Sequence, residues 1–486
     1  MKKIILLLHI ALFLFGLVNG NNILAQQVGD DLLFETKATA HKKVGFDSKN
    51  SHTGLKVKKQ YSIDFNKNVL FEKESITFKI ENSYFNVTNK ELKQLGADNF
   101  SFTGSTGGKT YKNVMITYRN NFVYGTIYTD TANYQIVTEK DGSQYIMEFD
   151  ESGLVDCEPM LPTGYDNNAK TIKLKSAQAG NTASTAMQNK EAATINSCAM
   201  RIIVLYTPDV DSIVGDMLTL MQNTIDESNR IIENTIVPEK WELAYAGMTE
   251  YTEAPGDGRF TDLARFRTNN DGYMDEVHAL RELYSADVCM LLSECQDPYS
   301  CGGVASTIDA SYSTAFALTH YMQGYFPSFH HEIGHLLAGL HHNSVGSYPY
   351  PYGHGMYLSE INSKTQMGYI WGPTWIPFFT NPDLSYNGYT IGTTDWNDMG
   401  RVLEQEIPEK AHFLQPENTV TVTSADIENM IYADVISEES VILEDLTVPG
   451  GSYLKVRTGE VTINSEFTLE LGAEFEIVNE QVLDCP

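Results

Sequence analysis

Residues Phe329–Ser344 read FHHEIGHLLAGLHHNS, and five of the chain's 12 histidines fall within the thirteen positions His330–His342. His331 and His335 are four residues apart. On a helix this spacing turns about 400°, so the two imidazoles lie within about 40° of each other, one turn apart on one face. Both can reach a single ion. Glu332 follows the first of them and so stands beside that ion rather than in line with it. H-E-x-x-H on a helix is the pattern of a zinc site with a glutamate base. Ser328, after Pro327, suits an N-cap, so the helix is expected to begin there.

A zinc ion that keeps a position for water takes three protein ligands. His341 is six residues past His335. On an unbroken helix it would point about 240° away. The chain must therefore turn after about residue 337, and Ala338-Gly339 is the place, because glycine takes positive φ freely. His342 is the rival third ligand, reached if the helix runs one residue further. His330 and His354 are read as exposed or supporting. Three neutral imidazoles leave the ion its full charge, which polarises a carbonyl and acidifies bound water. Glu332 is then placed to take the water's proton and pass it to a leaving amine. The chemistry this pattern implies is amide hydrolysis.

The rest of the chain bounds the setting. With 34 basic and 63 acidic residues, the formal charge of −29 repels phosphate backbones, so nucleic acid is not an expected partner. The first 25 residues, MKKIILLLHIALFLFGLVNGNNILA, carry two lysines and an apolar run from Ile4 to Val18, the form of a secretory signal peptide. That run is short for a membrane span, and no later transmembrane stretch is expected. The protein is thus expected outside the cell or at its surface. Export admits disulfides among the six cysteines, and Cys295–Cys301 closes a short polar loop. Four cysteines between Cys198 and Cys301 suffice for two bridges.

Alternating strands such as ESITFKI, NVMITY, FVYGTIYT and SQYIMEF fill residues 26–174, which predicts an antiparallel β region. Residues 175–197 are small, polar and free of aromatics, an exposed linker open to proteases at Lys175 or Lys190. From Cys198 the order changes to strand (MRIIVLYT), helix (211–236), strand (WELAYAGMTEY), helix (271–286) and strand (DVCMLLS). That order predicts an α/β domain over 198–415 with a mostly parallel sheet. Alternation returns in 416–486, read as a small all-β module.

On the histidine pattern, the chain resembles the metzincin zinc endopeptidases, and most closely their reprolysin-like (adamalysin-like) branch in bacteria. His331, Glu332, His335 and His341 fall on the ligand and base positions of H-E-x-x-H-x-x-G-x-x-H. KTQMGY resembles the methionine turn that follows, with Met367 beneath the metal. YPYPYGHGM, PFFTNPDLSYNGYTIG and DGYMDEVHALRELYSADVCMLL are similar to the same branch. The family's glycine position is held by Ala338, and the glycine stands one later. NFSFTGSTGGKTYKNVMITYRNNFVYGTIYTDTANYQI resembles the branch's propeptides. The resemblance implies an α/β metzincin catalytic domain behind a β-rich prodomain that masks the active site, hence a latent zymogen acting on proteins or peptides. It implies that Tyr369 hydrogen-bonds the oxyanion of the reaction, with a packed core tyrosine as the alternative. It implies that Cys157, in SGLVDCEPMLP, holds the zinc as a thiolate in the zymogen. The flanking residues do not match the usual switch sequence, and a disulfide or free thiol is the alternative. The Asp/Asn-rich loop TNPDLSYNG admits calcium without requiring it. A secreted adhesin with a structural or degenerate zinc site is the rival function.

Overall fold

The computed structural model describes residues 32–37, 56–72, 76–96, 98–150, 199–256, 258–294, 302–321, 328–344, 349–368 and 373–479. The segment expected to be a signal peptide, the expected linker 175–197, Tyr369 and five cysteines (Cys157, Cys198, Cys295, Cys301 and Cys485) lie outside these residues. Among the described residues no helix is long and apolar enough to cross a membrane.

The centre is an eight-stranded sheet. Its first five strands run in space Gly303–Ala305, Phe316–His320, Val288–Ser293, Met200–Tyr206 and Trp241–Met248. The last four of these are mutually parallel, and Gly303–Ala305 is an antiparallel edge. Every residue of Met200–Tyr206 and of Val288–Ser293 is buried. That is the burial of strands covered on both faces, and it explains their unbroken apolar runs. Cys289 lies within Val288–Ser293 as a free, buried thiol, pushed up to about 11 by burial. It belongs to the core, so the two-bridge arrangement expected of the cysteines between Cys198 and Cys301 does not hold.

The helix expected over 211–236 is divided. Pro208–Ile213 forms one short helix and Met217–Asn234 another, which Asp216 caps by accepting the Thr219 N–H at 2.8 Å. The break comes from tertiary contact. A Cβ on Gly215 would lie 2.5 Å from the Thr138 carbonyl oxygen of the N-terminal region. Met217–Asn234 has fourteen buried residues among its 18, so it has almost no solvent face.

Its second cover is the N-terminal region. There nine strands form one sheet, antiparallel throughout except where Leu32–Glu35 runs parallel to Ile76–Ile80. Buried polar side chains of the helix bond to it. Asn223 donates to Thr117 Oγ1 (3.2 Å), Asn234 donates to the Lys112 carbonyl (2.8 Å), and the Lys112 N–H donates back to Asn234 Oδ1 (3.0 Å). Tyr124, Val137, Tyr145 and Met147 of this sheet join the same apolar core as the helix. Further contacts run to the Trp375 carbonyl from Asn133 and to Asp216 and Glu474 from Arg119.

Residues 416–479 are built as a coil of parallel rungs. Thr419–Val422, Ser440–Val448 and Glu460–Leu469 stack in parallel, and so do Met430–Ile436, Tyr453–Thr458 and Glu474–Asn479. Register partners Thr419, Ser440 and Glu460 advance by 21 and then 20 residues, and Tyr432, Tyr453 and Glu474 by 21 each time. The second stack completes the central sheet, because Met430–Ile436 pairs antiparallel with Trp241–Met248. The boundary expected near residue 415 is therefore crossed by a continuous sheet. A buried ion network ties the junction. Arg457 donates to Asp434 (3.0 Å) and Glu242 (2.6 Å), and Arg201 donates to the Asp434 carbonyl (2.6 Å).

Candidate metal centre

Ser328–Leu336 is a nine-residue helix, and all of it from Phe329 onward is buried. It packs below the edge of the central sheet formed by Gly303–Ala305 and Phe316–His320. The helix ends in a left-handed turn. Ala338 has φ +67°, its N–H donates to the His335 carbonyl (3.0 Å), and the Gly339 N–H donates to the Gly334 carbonyl (2.7 Å). These two bonds form a Schellman cap, with Ala338 in the place usually held by glycine. An alanine there costs on the order of 1 kcal/mol.

Of the Ala338-Gly339 pair expected to turn the chain, Ala338 takes the positive φ and Gly339 has a different task. A Cβ on it would lie 2.7 Å from the Gly334 oxygen and 2.9 Å from Met399 Cε, so close packing requires the glycine. After this turn the chain pairs Leu340 with Gly353 and His354, which swings His341 back toward the helix.

The Nε2 atoms of His331 and His335 each lie 3.0 Å from Nε2 of His341. His331 Nδ1–H donates to the Gln366 carbonyl at 2.7 Å, and His335 Nδ1–H to the Gly339 carbonyl at 2.9 Å. Both rings, being neutral, therefore turn a bare Nε2 lone pair toward His341. A single hydrogen on His341 Nε2 could serve only one of them. Lone pairs converging in this way call for a cation, and the spacing approaches the roughly 3.3 Å that imidazoles bound to one tetrahedral zinc adopt. The donor set, three neutral imidazoles of which two have their other nitrogen on a backbone carbonyl, fits that ion.

Burial reinforces the neutral state. It holds His331 down to about 4, and it holds His335 and His341 well below the ordinary histidine value. Among the described residues these three form the one group of His, Cys, Asp or Glu poised to share a metal. The loop that admitted calcium forms the hairpin of Asn381–Tyr386 with Tyr389–Ile391.

His342 is half-buried and faces the Tyr357 ring at 6.5 Å, away from the cluster. Glu332 is 2% exposed, and its carboxylate lies against Gly303, where a Cβ would come within 2.9 Å of Oε1. Met367 is fully buried under the helix, and a Cβ on Gly334 would lie 2.5 Å from its sulfur. Tyr369 and Cys157 lie outside the described residues.

Neither His330 nor His354 is exposed. His330 is buried, with Nδ1 3.3 Å from Ser228 Oγ, and burial lowers it to about 3. His354 is also fully buried. It stacks on Trp396 at 3.9 Å and donates from Nδ1 to the His341 carbonyl at 2.9 Å. It therefore braces the third histidine. The sequence offered only the Gly-His-Gly setting as a signal, and that setting suits a loop equally well.

No protein-family model matches the chain. It is 32% identical over 294 residues to a peptidyl-Asp metalloendopeptidase of Xanthomonas campestris pv. campestris, spanning 58% of this chain and 65% of that protein. It is 33% identical over 324 residues to a protein of the same name from Stenotrophomonas maltophilia strain R551-3, spanning 63% of this chain and 72% of that protein. A third, from strain K279a, is 37% identical over 215 residues, 42% of this chain and 50% of that one. The chain thus spans between half and about three quarters of these curated relatives. Among solved structures, metalloproteinase-II from Bacteroides fragilis aligns over 63% of this chain and 86% of that one, with 11% identity and a TM-score of 0.39. A chaperone–substrate complex aligns over 46% and 36%, with 19% identity and a TM-score of 0.37. Likeness at that level carries no argument. The sequence relatives do: with 72% of one of them matched at 33% identity, this chain belongs to the metalloendopeptidases, a family of peptide hydrolases.

Proposed function

We propose that the chain is an exported zinc endopeptidase of metzincin type, made as a latent zymogen, that cuts proteins beside aspartate. The observation that carries the proposal is the convergence of the His331, His335 and His341 Nε2 atoms, two of them oriented by backbone carbonyls. When bound there, zinc supplies a Lewis acid and brings the pKa of water to about 7. His331, His335 and His341 hold the ion and fix its position. Glu332, one residue from the first ligand and next to Gly303, accepts the proton of the attacking water on its carboxylate and delivers it to the leaving amine. Gly303–Ala305, the outermost strand of the central sheet among the described residues, runs beside Glu332. The aspartate preference is taken from the relatives' name, and latency and export from the N-terminal sequence.

The test is hydrolysis of a quenched-fluorescent protein substrate by the full-length chain, before and after limited cleavage at Lys175 or Lys190. Activity should appear on cleavage, vanish with a chelator and return with one equivalent of zinc. Glu332→Gln should keep the zinc and lose on the order of 10³-fold in turnover. Turnover by Glu332→Gln at the normal rate would remove Glu332 from its role.

A further inference from the structure

The carbonyl that orients His331 belongs to a segment with little rigidity of its own. Gln366 follows Ser363–Lys364, the middle strand of a three-stranded sheet whose strands have two residues each. Strands that short gain too little to hold their shape alone, so the packing around them decides where Gln366 sits. Gln366 is fully buried and is bound twice to one neighbouring stretch. Its N–H donates to the Phe378 carbonyl at 2.9 Å, and its Nε2 donates to the Ile376 carbonyl at 2.6 Å. The Ile376 N–H donates in turn to the Lys364 carbonyl at 2.9 Å. Trp375–Phe378 therefore splints the residue whose carbonyl accepts the His331 Nδ1–H at 2.7 Å.

The N-terminal region grips that splint. Asn133 Nδ2 donates to the Trp375 carbonyl at 3.0 Å, and both residues are buried. The Tyr111 ring stands edge-on to Phe378, with 4.9 Å between ring centres. Tyr111 also packs on the small apolar cluster that contains Ile376, Phe378 and Tyr386. Three hydrogen-bonded steps thus lead from the N-terminal sheet to a metal ligand: Asn133 to Trp375, Gln366 to Ile376 and Phe378, and His331 to Gln366. Close packing passes a small displacement along such a path instead of absorbing it. Loss of the outer partner of a metal-bound histidine weakens metal binding by about 10–100-fold.

We propose that Asn133 and Tyr111 are positioning residues for His331, acting through Trp375–Phe378 and the Gln366 carbonyl, so that the docked N-terminal region and the zinc ion stabilise each other. The proposal rests on the zinc reading above. By linkage, docking tightens zinc by the same factor as zinc tightens docking. The two residues move no proton.

The test uses the uncut full-length chain, stripped of metal and titrated with zinc against a chromophoric chelator. Asn133→Ala should weaken zinc binding on the order of 10-fold. Tyr111→Leu should act in the same direction, and it carries the test if Asn133→Ala fails to fold. Asn223→Ala is the control. It loosens the same interface, where Asn223 donates to Thr117 Oγ1 and the Tyr124 carbonyl, and should leave zinc affinity within about 2-fold of wild type. The reciprocal effect needs no variant. Zinc should slow hydrogen exchange in Asn133–Thr138 of the wild type as well as around Gln366. Folded Asn133→Ala and Tyr111→Leu with wild-type zinc affinity overturn the proposal. Equal weakening by Asn133→Ala and Asn223→Ala also overturns it, because general loosening would then explain both. So does exchange in Asn133–Thr138 that zinc leaves unchanged. These three results leave the zinc reading standing, whereas a folded wild type that binds no zinc overturns both.

Discussion

The two β regions attach to the same central sheet by different physics. The N-terminal nine-stranded sheet lays one face on the helix Met217–Asn234 and holds it through apolar packing and side-chain bonds such as those of Asn223 and Asn234. The C-terminal rungs join edge to edge, with Met430–Ile436 pairing main chain to main chain with Trp241–Met248. Face docking can be undone with both partners intact. Edge addition cannot, because separation leaves a row of unpaired backbone groups on a buried strand. The first arrangement suits a part released on activation, and the second suits a permanent one.

Removing residues 416–486 is the severest way to test this difference. It strips Trp241–Met248 of a neighbour and opens the second apolar core, to which Val435, Leu443, Leu454 and Val456 contribute. We expect no soluble folded protein, and a truncated chain with a native circular dichroism spectrum and zinc content would contradict the comparison. Arg457→Ala is milder. It leaves Asp434 buried without its main partner and should cost about 3–5 kcal/mol, read as a lower denaturation midpoint. The smallest effect belongs to the N-terminal interface. Asn234→Ala removes both bonds to Lys112 and should cost about 1–3 kcal/mol. After linker cleavage, the N-terminal fragment should separate from that variant at a lower urea concentration than from wild type. Equal release would show that the apolar contacts alone hold the interface.

The two kinds of attachment were unequally legible in the sequence. Strand alternation showed which residues face a core in both regions, but period two gives faces and not partners. The 20- and 21-residue advance of the rungs becomes evident only once the parallel register is known. The break at Gly215 was hidden for a similar reason, since its cause is the Thr138 carbonyl of a distant segment. The histidine segment was legible because its geometry is local. Four residues make one helical turn, and the return of His341 demands a turn near residue 338. Of the Ala338-Gly339 pair expected to turn the chain, Ala338 takes the positive φ, while close packing against Gly334 and Met399 claims Gly339. The supports at His354 and Gln366 come from another loop, and no spacing announces them.

The central claim is that His331, His335 and His341 hold one zinc ion and leave a position open. X-ray absorption at the zinc edge of the linker-cleaved chain tests it most directly. The account predicts three imidazole nitrogens and one oxygen at about 2.0–2.1 Å, with two imidazoles remaining in His341→Ala and three in His342→Ala. A fourth protein ligand, or a spectrum unmoved by His341→Ala, would contradict it and favour a structural zinc in a binding protein.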